Sequence, residues 1–200
     1  MNIVTFCGID GCGKSTYIDI LQQHYKTDFG FIDPMKNGTY GNEYNAILKM
    51  IGKTNVEPSK LKGVVYALNM LEKINAIDDD RLYISHRFKP CCWVYAKATH
   101  SHSTELEQLL TLIPNAILTF FIKIDADTAF ERIAKRSIAK KEPIGAKEDK
   151  KILHDCANYY EQYISKFSNS VITIDGAEEI DTNMSIILHE INKLPHKQSR

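Results

Sequence analysis

The stretch Asn2-Ile3-Val4-Thr5-Phe6-Cys7-Gly8-Ile9-Asp10-Gly11-Cys12-Gly13-Lys14-Ser15-Thr16 decides how the rest of the chain is read. Its opening run, Asn2 to Cys7, is β-branched and aromatic and stops at a glycine, the pattern of a short buried strand. After Thr16 the apolar residues Tyr17, Ile18, Ile20, Leu21 and Tyr25 recur at helical spacing. Between the two, Gly8 to Ser15 fits G-x-x-x-x-G-K-[ST] without a mismatch, in the strand–turn–helix setting that the motif needs. There the glycines let consecutive backbone N–H groups curl round a phosphate, and the helix start adds its partial positive charge. Lys14 is expected to reach the β- and γ-phosphates of a nucleotide, and the Ser15 hydroxyl to ligate Mg²⁺. A turn that only joined strand to helix would not require a lysine followed by a serine. Nucleoside triphosphate binding, ATP in the first place, is therefore expected at Gly8, Asp10, Gly11, Cys12, Gly13, Lys14, Ser15 and Thr16.

Downstream the alternation repeats. Phe29 to Ile32 reads as a second strand, Tyr44 to Ile51 as a helix, and Ser59 to Ile77 as a longer helix with Ser59 as its N-cap after Pro58. Asp78-Asp79-Asp80 reads as a solvated turn, because acids at a helix C-terminus oppose the macrodipole. Leu82 to Ser85 is the third strand and Thr104 to Ile113 a helix stopped before Pro114. Ala116 to Ile124 is the near-continuous apolar run that a strand buried on both faces needs. Helices over Asp127 to Arg136 and Asp149 to Phe167, a fifth strand over Ser170 to Ile174 and a closing helix over Ala177 to Leu194 complete the chain. With no internal repeat and no linker, the expected fold is a single α/β domain over 1–200, a three-layer α/β/α sandwich around a five-stranded parallel sheet of P-loop NTPase type.

Composition narrows the function classes. Two hundred residues with 44% hydrophobic and 25% charged side chains suit one globular domain with a proper core. Twenty-five Lys+Arg balance 25 Asp+Glu, so no global field favours nucleic acid or an anionic membrane, and an anion site must be local. Five cysteines, an odd number without a CxxC pair, fit reduced thiols in a cytoplasmic protein better than a disulfide scaffold or a zinc site. No run approaches the ~20 apolar residues that a bilayer requires. His100-x-His102 lacks a third ligand and reads as surface.

Beyond the loop, the chain resembles the thymidylate kinase family of nucleoside monophosphate kinases. Gly8-Ile9-Asp10-Gly11-x-Gly13-Lys14-Ser15-Thr16 is similar to the family's G-[ILV]-[DE]-G-x-G-K-[ST]-T, and Val64 to Met70 to its L-L-F-x-A-x-R helix. His86-Arg87-Phe88 stands where the family has Asp-Arg-Tyr, and Ala116 through Arg136 resembles its fourth strand, following helix and lid. The resemblance implies that Asp10 contacts the acceptor's sugar, Arg87 holds its 5′-phosphate, Tyr66 stacks on its base and Lys36 lies near the family's phosphate-binding arginine. It also implies a homodimer. Arg132, Lys135, Arg136, Lys140 and Lys141 form a local positive field with no acid among them, and a lid of about 136–150 with Arg136 as the closing cation, supported by Arg132, is the expectation.

Departures fall in the acceptor and metal half. The family's Asp is His86, its thymine-facing arginine is Met70, and the polar Ser and Asn that follow Asp-Arg-Tyr correspond to Cys91 and Cys92. Imidazole is a poor ligand for a hard cation, and a Met/Cys pocket reads a base by shape more than by hydrogen bonds. ATP-dependent transfer to a nucleoside monophosphate is the first reading. A kinase for a nucleoside or other small alcohol, with Asp10 as general base, and a nucleotide-binding regulator without turnover stay open beside it.

Overall fold

The computed structural model describes residues 2–26, 28–34, 58–77, 81–144 and 148–194. Lys36, the helix expected over Tyr44 to Ile51 and the Asp78–Asp80 turn lie outside them. In chain order the elements are β1 (Asn2–Cys7), α1 (Lys14–Tyr25), β2 (Gly30–Ile32), α2 (Pro58–Asn75), β3 (Leu82–His86), α3 (Lys89–Ala98) and α4 (Thr104–Leu112). They continue with β4 (Leu118–Lys123), α5 (Ala126–Lys140), α6 (Lys150–Tyr163), a 3₁₀ turn (Ile164–Phe167), β5 (Val171–Asp175) and α7 (Ile180–Asn192).

The five strands form one parallel sheet in the order β2-β3-β1-β4-β5, with helices on both sides. β1 and β4 are central and carry the longest buried runs, which is why both read as continuous apolar stretches. Phe6 of β1 stacks on Phe120 of β4 with ring centroids 5.0 Å apart. Burying each such ring contributes roughly 1.5–3 kcal/mol. α7 is tied to α1 by Asn183 Nδ2 donating to the Tyr17 hydroxyl (2.9 Å) and by the Tyr25 hydroxyl donating to Asn192 (2.9 Å). From β1 the chain runs to β2 and β3 on one side and then crosses to β4 and β5 on the other, so the strand order reverses beside β1 and a crevice opens at its carboxyl end, the place where such sheets bind ligands.

Two local expectations are corrected. α2 starts at Pro58, which sets Ser59 inside the first turn; proline suits a first helical position because its missing N–H has no partner there anyway. α3 was not foreseen from the sequence pattern. Of its ten residues only Lys97 escapes burial, so it has no polar face and therefore no amphipathic period to read.

Candidate active site

Gly8, Gly11 and Gly13 all have positive φ, and Gly13 closes the loop in the left-handed region just before α1. At Gly11 the need is steric as well: a Cβ there would stand 2.5 Å from the Ala129 carbonyl oxygen of α5. The loop is thus pressed against α5. Lys14, 4% exposed, donates its ammonium back to the carbonyls of Gly8 (2.9 Å) and Ile9 (2.7 Å) and to Cys12 Sγ (3.3 Å). Those acceptors satisfy a buried cation at the centre of the loop. Thr16 donates its N–H to Gly13 O (3.0 Å) as the helix begins.

In front of the loop lies a cleft of about 800 Å³, a size that suits a small-molecule ligand. Its floor is residues 10–17, one wall is Arg132, Arg136 and Lys140 of α5, and Gly176 and Glu178 close the other end. Arg132 Nη1 donates to Gly176 O at 3.1 Å, joining the two walls. Arg136 makes an ion pair with Glu148, so the positive field of α5 is partly answered by an acid from beyond the helix. Arg136 itself is still helical, because α5 continues to Lys140 where the expectation ended it at Arg136.

β1 and β3 end level with each other: Phe6 pairs with His86, and the Arg87 N–H donates to Phe6 O at 3.2 Å. This register delivers the β3 end to the shoulder of the loop. Arg87 turns in the left-handed region (φ 73°) and pairs with the Asp10 carboxylate. The guanidinium carbon lies 5.4 Å from the Tyr95 ring centre, and the Tyr95 hydroxyl accepts the Asp10 N–H at 2.8 Å. Burial works against the Asp10 charge, but Arg87 and, beyond it, Lys14 outweigh that and hold the carboxyl below its ordinary value. His86 bridges outward: Nε2 is 3.2 Å from Ser15 Oγ and Nδ1 is 3.0 Å from Asp33 Oδ2. A second cleft of about 240 Å³ shares Ser15 and His86 with the first and runs along Asp33.

Among the expected site residues, Asp10, Gly11, Cys12, Gly13, Lys14, Ser15, Thr16, His86, Arg87, Arg132 and Arg136 converge on the main cleft. Gly8 closes the loop behind it as the acceptor of Lys14. Tyr66 is half-buried on α2 and packs against the core. Met70, Cys91 and Cys92, expected to face the base, are buried to 2% exposure or less and line neither cleft. Cys91 Sγ instead lies 3.4 Å from Cys7 Sγ, and Cys92 Sγ 3.7 Å from Gly63 O. The place of Cys91 and Cys92 in the almost wholly buried α3 explains the apolar character that their side chains share. Asp33, Tyr95, Glu148, Gly176 and Glu178 were missed. Glu148 falls within the expected lid and Asp33 just before Lys36, but no role was read for either; all five reach the site through the sheet register and the packing of the helices.

The family model described as thymidylate kinase matches residues 6–187. A thymidylate kinase of Caldanaerobacter subterraneus subsp. tengcongensis is 24% identical over 185 residues, covering 88% of each chain. That of Thermoanaerobacter sp. strain X514 is 23% identical over 189 residues, covering 88% of this chain and 90% of the relative. A solved deoxyadenosine kinase from M. mycoides with bound dATP superposes with a TM-score of 0.64 at 15% identity, over 95% of this chain and 99% of its own, a likeness that bears on the fold alone. With the phosphate loop, the β3 shoulder and a family match across nearly its whole length, the chain belongs to the thymidylate kinase family of nucleotide phosphotransferases.

Proposed function

We propose that the protein transfers the γ-phosphoryl group of ATP to the phosphate of a nucleoside monophosphate, as its relatives named thymidylate kinase do by name. The observation that carries this is the placing of Lys14 inside the loop and of Arg87 at its shoulder in one cleft. Loop amides and Lys14 hold the donor's terminal phosphates, Arg132 and Arg136 flank them from α5, and Arg87 takes the acceptor phosphate. An oxygen of that phosphate forms the new bond to the γ-phosphorus as the bond to the β,γ-bridging oxygen breaks, and ADP leaves. A divalent cation on Ser15, Mg²⁺ by family resemblance, would neutralise phosphate charge. Ser15 lines the cleft, and a hydroxyl there suits that task.

Arg87 is now satisfied by Asp10, and an arriving phosphate shares or replaces that partner. Asp10 contacts the sugar and Tyr66 the base in this reading, with Lys36 beyond the described residues as a further phosphate contact. Family likeness extends the proposal to a cytoplasmic homodimer without nucleic-acid or membrane partners. Among the described residues no helix is long and apolar enough to cross a membrane.

Transfer to a nucleoside hydroxyl is the second reading, and the solved deoxyadenosine kinase brings it into view. It needs a base, and Asp10, held ionised by Arg87, is a weak one. ADP release from ATP and a divalent metal, screened over nucleoside monophosphates and nucleosides, separates the two. Turnover with a monophosphate that Lys14→Ala lowers by ~10²-fold or more supports the first reading. Turnover with nucleosides alone replaces it.

A further inference from the structure

The serine that closes the phosphate loop faces an imidazole. A carboxylate only accepts hydrogen bonds, so the 3.0 Å contact to Asp33 Oδ2 places the proton of a neutral His86 on Nδ1. Nε2 is then an acceptor, and the Ser15 hydroxyl donates to it at 3.2 Å, a hydrogen bond that a cation held by both atoms replaces. A histidine whose far nitrogen is anchored on a carboxylate is the usual arrangement of metal-binding imidazoles, because the anchor fixes tautomer and ring plane and raises ligand basicity. The spacing fits as well. Two neighbouring ligands on a six-coordinate cation with ~2.1 Å bonds stand ~3.0 Å apart. Ser15 and His86 also line both clefts, so the pair lies at the edge of the phosphate-binding space and open to it.

Resting on the nucleotide-binding reading above, we propose that Ser15 Oγ and His86 Nε2 together ligate the divalent cation that accompanies the bound nucleotide, and that this site takes Mn²⁺ or Co²⁺ in preference to Mg²⁺. Magnesium holds oxygen ligands and gives up water reluctantly, whereas imidazole suits the later first-row divalent ions. Among the described residues no group of three or more His, Cys, Asp or Glu side chains could hold a metal by itself. The cation therefore arrives with the nucleotide, whose phosphate oxygens and water complete its shell. Asp33 acts through His86 as a positioning residue.

The test is pulsed electron spin-echo spectroscopy of Mn²⁺ on the full chain with β,γ-methylene ATP, an analogue whose bridge contains no nitrogen. The wild type is expected to show ¹⁴N modulation from a directly bound imidazole. His86→Asp and His86→Gln are expected to lose it while still binding Mn²⁺ with the analogue. Competition titrations should show the Mn²⁺-over-Mg²⁺ preference falling at least tenfold in His86→Asp. Mn²⁺ bound with the analogue but without ¹⁴N modulation, or an unchanged preference in both variants, overturns the proposal and leaves nucleotide binding intact. Equilibrium dialysis of the labelled analogue with Mg²⁺ and, separately, with Mn²⁺ reports on that parent reading, and if the wild type retains none with either, both fall together.

Discussion

Asp10 shows how a single side chain acquires two partners and a shifted charge. The loop glycine that follows it, Gly11, turns the backbone so that the carboxylate meets Arg87, and the Tyr95 hydroxyl receives the Asp10 N–H. Its folded pKa is lowered relative to the unfolded chain, where an aspartate titrates near ~3.9. The pair's stabilisation is therefore complete above about pH 4 and is lost as the pH falls through the lowered folded value. Urea unfolding of the wild type should lose stability below about pH 4 more steeply than Asp10→Asn. At pH 7 that variant should be less stable by about 1–2 kcal/mol, because the part-covered Arg87 loses its counter-charge. Parallel pH profiles for the two proteins would remove the ion pair from the account. Asp10 was legible in the loop motif. Tyr95 was not, since a tyrosine in a helix buried on almost every side carries no pattern that marks it.

At the scale of elements, α5 does two things at once. Its buried residues Ala126, Ala129 and Ile133 pack inward, and the Ala129 carbonyl sets the close approach that only glycine tolerates at position 11. Its other face presents Arg132 and Arg136 to the cleft. Asp125 caps the helix by accepting the Thr128 N–H at 2.8 Å, which starts it one residue earlier than the apolar period suggests. If Arg136 leaves Glu148 to stabilise charge on the moving phosphoryl group, Arg136→Ala lowers kcat by ~10²-fold with the donor KM changed less than about twofold. Steady-state kinetics at varied ATP check this. A raised KM at constant kcat would make Arg136 a ground-state contact only.

Across the whole molecule, the parallel order β2-β3-β1-β4-β5 brings the loop after β1 and the shoulder after β3 side by side, although some seventy residues separate them in the chain. The core that holds this register includes Met70, Cys91 and Cys92, which the family resemblance set where the family reads the base. Met70 is fully buried, so Met70→Leu, which nearly conserves volume, should cost less than about 1.5 kcal/mol, and Met70→Ala about 2–5 kcal/mol. Neither is expected to change the ranking of acceptor bases in the ADP-release screen. A changed ranking with Met70→Leu would return that side chain to the acceptor pocket.

The amino-acid sequence alone determined the strand–loop–helix start, the five strands, the α/β class and the phosphate loop with Lys14 and Ser15. These are local matters: β-branched runs, helical periods and glycines whose spacing follows from what a phosphate demands of the backbone. Only the tertiary structure decided that Asp10 meets Arg87, that His86 spans Ser15 and Asp33, and that Cys91 and Cys92 belong to the core. Each of those outcomes depends on strand register and on which face of a helix is covered. Side chains that are brought together only when the sheet assembles leave no periodic trace along the chain.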